Sequence, residues 1–104
     1  MTDLDRTFHA LSDATRRVIV TRLGAGPASV GELAEPHDMA LPSFLKHIGV
    51  LEEAGLIRTE KVGRVRTCRL ETARLGAIQS WLDAQRDIWE QRTDRLQALV
   101  ETKP

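Results

Sequence analysis

Lys61, Arg64, Arg66 and Arg69 fall within nine residues of one another. Cations this dense hold an anion, and guanidinium groups in particular match the geometry of phosphate oxygens. Just upstream, LPSFLKHIGVLEEAG (41–55) carries a second set of polar groups, Ser43, Lys46 and His47, behind Pro42. No Gly-rich phosphate loop, nucleophile motif or pair of catalytic carboxylates at useful spacing accompanies them. The chemistry on offer is therefore binding, with no catalytic residue, no cofactor and no enzymatic activity expected.

The basic group is local. The 104 residues have a formal net charge of zero, yet 55–75 hold six Lys or Arg against two Asp or Glu. A patch of that kind binds an anion whatever the total charge. The length suits a single domain, expected over 1–104, and aromatic residues at 4% leave few large side chains for its core. A domain so small gains stability from a second copy. There is no long apolar run to span a membrane, and the acidic, polar start MTDLDRTFHA is unlike a signal peptide. With Cys68 as the one cysteine, no internal disulfide forms, and a cytoplasmic location is expected.

These groups need elements to position them. Leu4, Phe8 and Leu11 recur on one face of a first helix. Ser12 or Asp13 caps a second, with Val18, Ile19 and Leu23 as its apolar stripe and Gly24, Gly26 and Pro27 as its stop. Ser29 and Glu32 form a capping box for a short helix, which Pro36 ends. The next helix starts near Leu41, where Pro42 is tolerated, and closes at Ala54 with Gly55 as a left-handed cap. The period then changes to two in LIRTEKV and RVRTCRL, separated by Gly63. These runs predict a β-hairpin packed through Ile57, Val62, Val65 and Leu70, with Arg64 at its tip. Thr72 precedes a last helix, 73 to about 100, some 42 Å long at about 1.5 Å per residue. Its stripe of Leu75, Ile78, Leu82, Trp89, Leu96 and Leu99, with Trp81 and Ile88 alongside, is longer than one small domain covers and calls for another chain. The expected fold is mainly α with a small β-hairpin, in the order α-α-α-α-β-β-α.

On the 41–54 helix, Phe44, Ile48, Leu51 and Leu41 share one face at about 100° per residue. Pro42, Ser43, Lys46, Gly49, Val50 and Glu53 lie opposite, and His47 flanks them. The donors gather at the positive end of the helix dipole, while Glu52 and Glu53 stand at the far end. A capped short helix, a tight turn and a second helix make a helix-turn-helix, and a basic hairpin behind it makes a wing that reaches the backbone or minor groove. Arg16 and Arg17 are read as intrachain ion-pair partners or phosphate contacts. His9 and His37 are read as ordinary surface or cap-region residues, not ligands.

Over almost its whole length the chain resembles the ArsR/SmtB winged-helix repressors. The matching stretches are ALSDATRRVIVTRL, SVGELAEPHDMALPSFLKHIGVLEEAGLI, KVGRVRTCRL and the tryptophan-bearing last helix. The resemblance implies a homodimer joined through first and last helices, bound to a near-palindromic double-stranded DNA operator, and repressing transcription. It carries Ser43, Lys46 and His47 onto recognition-helix positions and Arg64 and Arg66 onto the wing; Pro42 and Lys61 beside them complete the expected DNA-binding set. Leu4, Phe8, Leu75, Ile78, Trp81, Leu82, Trp89 and Leu96 are the expected dimer interface. Ala40 stands where relatives often cap the recognition helix with serine, and Gly49 where Arg or Lys is common.

Metal-sensing relatives use clustered thiolates or histidines with carboxylates. The short helix here has no cysteine and 73–104 no histidine, so no metal site is expected and the match is to a metal-independent branch. A Cys68–Cys68 bridge between subunits and a small-molecule pocket beside the tryptophans are the weaker readings. No residue pattern identifies an inducer. The competing function is a winged-helix module that docks a protein through its last helix, which salt would weaken far less than DNA binding.

Overall fold

The computed structural model describes residues 2–101; the outermost ends of the domain expected over 1–104 lie outside them. Helix α1 (Asp3–Leu11) is opened by a capping box absent from the sequence reading. Thr2 Oγ1 accepts from the Asp5 N–H, and the Thr2 N–H donates to the Asp5 carboxylate. Helix α2 (Ala14–Leu23) is capped by Asp13, whose carboxylate accepts from the Arg16 N–H at 3.1 Å. Its buried residues are Arg16, Ile19 and Leu23. Val18 is exposed, because the spacing 16, 19, 23 turns it away from the core.

A two-residue strand, β1 (Ala28–Ser29), precedes α3 (Val30–Ala34) and was not anticipated. Ser29 thus ends a strand and caps a helix. Its hydroxyl accepts from the Glu32 N–H and donates to the Glu32 carboxylate, so the expected return bond to the Ser29 backbone is replaced by one to its side chain. Helix α4 (Leu41–Glu53) begins at Ala40, which supplies no side-chain cap, with Pro42 in the first turn. It closes in a Schellman motif. Gly55 N–H bonds to Glu52 O, Leu56 N–H bonds to Leu51 O, and Gly55 takes a φ of +74°.

Strands β2 (Ile57–Val62) and β3 (Val65–Leu70) pair antiparallel from Ile57↔Leu70 to Val62↔Val65, and β1 adds to the free edge of β3. The sheet order is β1-β3-β2, so a three-stranded sheet replaces the expected hairpin. Two of the four expected hairpin packing residues, Val62 and Val65, are exposed at the tip. Cys68 takes their place, fully buried opposite Thr59. By the two-residue alternation Val62 and Val65 lie on the sheet face opposite Ile57, Cys68 and Leu70, away from the helices.

The core is Ala10, Ile19, Leu23, Ala28, Leu33, Phe44, Ile48, Leu51, Ala54, Leu56, Ile57 and Cys68. Every element from α1 to β3 contributes to it. Helix α5 (Ala73–Glu101) does not; its one buried residue is Ile78. The radius of gyration is 19.5 Å, against about 13 Å for a compact chain of this length, and the longest extent is 74 Å. The excess is the helix projecting from the head.

Candidate nucleic-acid interface

Helix α4 is held by Phe44, Ile48 and Leu51, all buried. The His37 ring packs on Phe44 with centroids 5.5 Å apart, which fixes the turn ahead of the helix. Leu41, expected on this face, is exposed: it is the first helical residue, beyond the reach of the core. Pro42, Ser43, Lys46 and Gly49 face solvent together. At the far end, Thr59 Oγ1 donates to Glu52 at 2.5 Å, so that carboxylate ties the helix to β2 instead of standing free.

His47 differs from its neighbours. Its side chain is only 21% exposed, and Nδ1 lies 3.1 Å from Arg16 Nη1 and 3.7 Å from the Asp13 carboxylate. Arg16 is buried and neither reading made for it anticipated that. Its Nε donates to Ala10 O at 2.6 Å and Nη2 to His9 O at 3.1 Å. The carbonyls at the end of α1 thus stabilise a cation that has no ion pair among the described residues, the Asp13 carboxylate accepting from the Arg16 backbone instead. That bond is the main cause holding the Asp13 carboxyl below its ordinary range, and the nearby Arg16 guanidinium adds to it. Arg17 donates to Leu11 O at 2.9 Å.

In the wing, the five cations of 58–69 divide into two groups. Arg58 pairs with Glu71 at 3.3 Å and Arg69 with Glu60 at 4.0 Å. Lys61, Arg64 and Arg66 are exposed and have no ion pair among the described residues. Lys61 and Arg66 are direct cross-strand partners, an arrangement in which like charges repel. By the two-residue alternation they share the sheet face of Ile57, Thr59, Cys68 and Leu70, the face that packs on the helices. Arg64 sits in the two-residue turn after Gly63, whose φ of +62° suits a first turn position that only glycine takes without strain.

The residues expected in a dimer interface are distributed along α1 and α5. Phe8 and Trp81 meet edge to face within one chain, ring centroids 5.7 Å apart, and stay 39% and 43% exposed. Leu4 and Leu75 are half-buried, and Ile78 is buried. Leu82, Trp89 and Leu96 are exposed, the last two at 68% and 66%.

Among the described residues no three His, Cys, Asp or Glu side chains stand together as a metal site. The Cys68 thiol is sealed in the core and burial pushes its pKa up, which leaves it no path to a disulfide with another subunit. Two surface grooves, one between the end of α4, β2 and the start of α5 (about 430 Å³) and one between α1 and α4 (about 250 Å³), are lined by neither tryptophan. No helix of the described residues is long and apolar enough to cross a membrane.

With this geometry in place, the comparisons with known proteins agree on its class. A helix-turn-helix domain model matches residues 11–60. The HTH-type transcriptional regulator Rv2034 of Mycobacterium tuberculosis strain H37Rv is 40% identical over 79 residues, covering 76% of this chain and 74% of that protein. The transcriptional repressor SdpR of Bacillus subtilis strain 168 is 30% identical over 79 residues, covering 76% of this chain and 88% of that one. A crystal structure of an ArsR family transcriptional regulator, 55% identical, superposes with a TM-score of 0.82 over 85% of this chain and 91% of its own.

Proposed function

Because the chain belongs to the ArsR family and is a DNA-binding transcriptional regulator, we propose that it is a homodimeric repressor that seats α4 in the major groove of a near-palindromic operator. The wing then lies along the adjacent backbone. The observation that carries this reading is the division among the wing cations. Arg58 and Arg69 have acidic partners, whereas Lys61, Arg64 and Arg66 have no ion pair among the described residues, and two of the three oppose each other across the ladder. That self-repulsion is relieved by a polyanion, and a phosphate backbone supplies one.

Lys46 extends from the outward face of α4, between the core anchors Phe44 and Ile48, so it reaches the same duplex from a rigid support. Pro42 and Ser43 at the helix start bring small groups and the positive dipole end to the DNA. Repression follows the reading that SdpR, a relative, is itself a repressor. Homodimerisation is supported by the exposed apolar side chains of α5. Nothing in the donor chemistry names an inducer, and a cytoplasmic site of action accords with DNA as the target.

The test is a gel shift on operator DNA that the full-length protein selects from its own genomic fragments. Lys46→Ala and Arg64→Ala are each expected to weaken binding severalfold or more and to lower the salt slope by about one, with the oligomeric state unchanged. Wild-type affinity in both variants would refute this interface. A salt-insensitive complex would favour docking of a protein through α5 instead.

A further inference from the structure

We infer that Arg16 is a positioning residue for DNA recognition: it locks His47 in the Nε2–H tautomer, so that α4 presents a fixed hydrogen-bond donor to the duplex. The inference rests on the interface proposed above and adds to it a residue that touches no DNA.

The Arg16 guanidinium carries donors and no acceptor. Its Nη1 stands 3.1 Å from His47 Nδ1, so that nitrogen must accept. A neutral imidazole that accepts at Nδ1 carries its proton on Nε2. The Asp13 carboxylate, at 3.7 Å from the same Nδ1, is beyond hydrogen-bond range and already accepts the Arg16 N–H at 3.1 Å. The guanidinium cannot drift from this post. Nε and Nη2 are held by Ala10 O and His9 O, so release would strand a buried cation.

The other ring nitrogen is available. Nε2 has no partner among the described residues, and no buried, unpartnered side-chain N or O occurs among their non-exposed side chains, so Nε2 reaches solvent. It does so one residue beyond Lys46. The resulting donor is neutral, aimed by three bonds from behind, and suited to an acceptor on the DNA, either a phosphate oxygen or a base edge.

The first readout needs no DNA. Long-range proton–nitrogen NMR of the full-length protein with labelled histidine at pH 7.5 is expected to place the His47 proton on Nε2. A proton on Nδ1, or an imidazolium, overturns the proposal. The second readout is affinity for the selected operator. His47→Asn keeps an acceptor facing Arg16 but has no distal donor, and is expected to bind about tenfold more weakly or worse. His47→Gln carries an amide N–H near the place of Nε2 and is expected to stay within about threefold of wild type. Wild-type binding by His47→Asn, or equal losses in both variants, also overturns it.

Because the donor is neutral, the salt slope should stay unchanged in His47→Asn while it falls in Lys46→Ala. An equal loss on operator and random duplex assigns the acceptor to phosphate; a loss confined to the operator assigns it to a base. If His47→Asn, Lys46→Ala and Arg64→Ala all bind as wild type, the interface itself is wrong. If only His47→Asn does, the interface stands and the role of Arg16 falls.

Discussion

Helices α4 and α5 are both amphipathic in sequence, and they use that property in opposite ways. Helix α4 spends its apolar face inside its own chain, burying Phe44, Ile48 and Leu51 in thirteen residues. Helix α5 has twenty-nine residues and buries one, Ile78, leaving Leu82, Ile88, Trp89 and Leu96 in solvent. The orientation of α4 is therefore decided within the protomer, where a DNA-reading surface must be rigid. The apolar face of α5 beyond its contacts with α1 stays open within the protomer, and in the dimer proposed above a second copy covers it and sets the spacing of two reading heads. An apolar face this large and uncovered marks an interaction surface.

The largest expected effect breaks the α4 side of that contrast. Phe44→Ala empties a fully buried aromatic site and should cost about 3–5 kcal/mol in chemical denaturation. For a domain whose whole stability is of order 5–15 kcal/mol, that leaves a head barely folded. A loss under about 1 kcal/mol would show that α4 is not anchored as described. The α5 side is tested by Trp89→Ala combined with Leu96→Ala. Neither residue is buried within one chain, so the head should stay folded while the dimer loses roughly 2–4 kcal/mol of association energy. Sedimentation at micromolar concentration is expected to show a dimer for wild type and a shift to monomer for the double variant. An unchanged dimer would move the interface elsewhere.

The same contrast explains which features were legible in the sequence. Long periodic segments were: α4 and α5 lie where spacing and caps put them, because Gly55 and Pro42 mark the ends of α4 and nothing interrupts α5. Side chains whose fate depends on tertiary depth were not. Val62 and Val65 lie an odd number of residues from Ile57 and Leu70 on their strands and so point from the opposite sheet face, where they are exposed, whereas Cys68 shares the inner face and is buried. Strand β1 is two residues long, shorter than any periodicity can signal, and exists because β3 offers it an edge. Arg16 was hardest. Its burial depends on three acceptors, two at the end of α1 and one, His47, thirty-one residues away in α4. At the interface, Ser43, Lys46 and the wing cations were legible as exposed donors; that His47 is turned half inward was not.

The smallest effects sharpen the picture within α4 itself, through two glycines six residues apart. Gly49 is an exposed interior position of a regular helix, and a Cβ there would meet nothing within 4 Å. Gly49→Ala removes the conformational freedom of glycine without a clash and should stabilise the free protein by about 0.5–1 kcal/mol. Gly55 is the left-handed cap at φ +74°, and a Cβ there would lie 3.0 Å from Arg74 Nε. That arginine is engaged with Asp3 at 2.9 Å, so it yields only by disturbing a contact between α5 and α1. Gly55→Ala should therefore destabilise by about 1–2 kcal/mol through backbone strain alone, before the arginine is counted. The two substitutions are chemically identical and opposite in sign because one sits in the helix and the other ends it. Thermal unfolding of both decides the matter: the same sign for both would mean that α4 does not end where its Schellman motif places it.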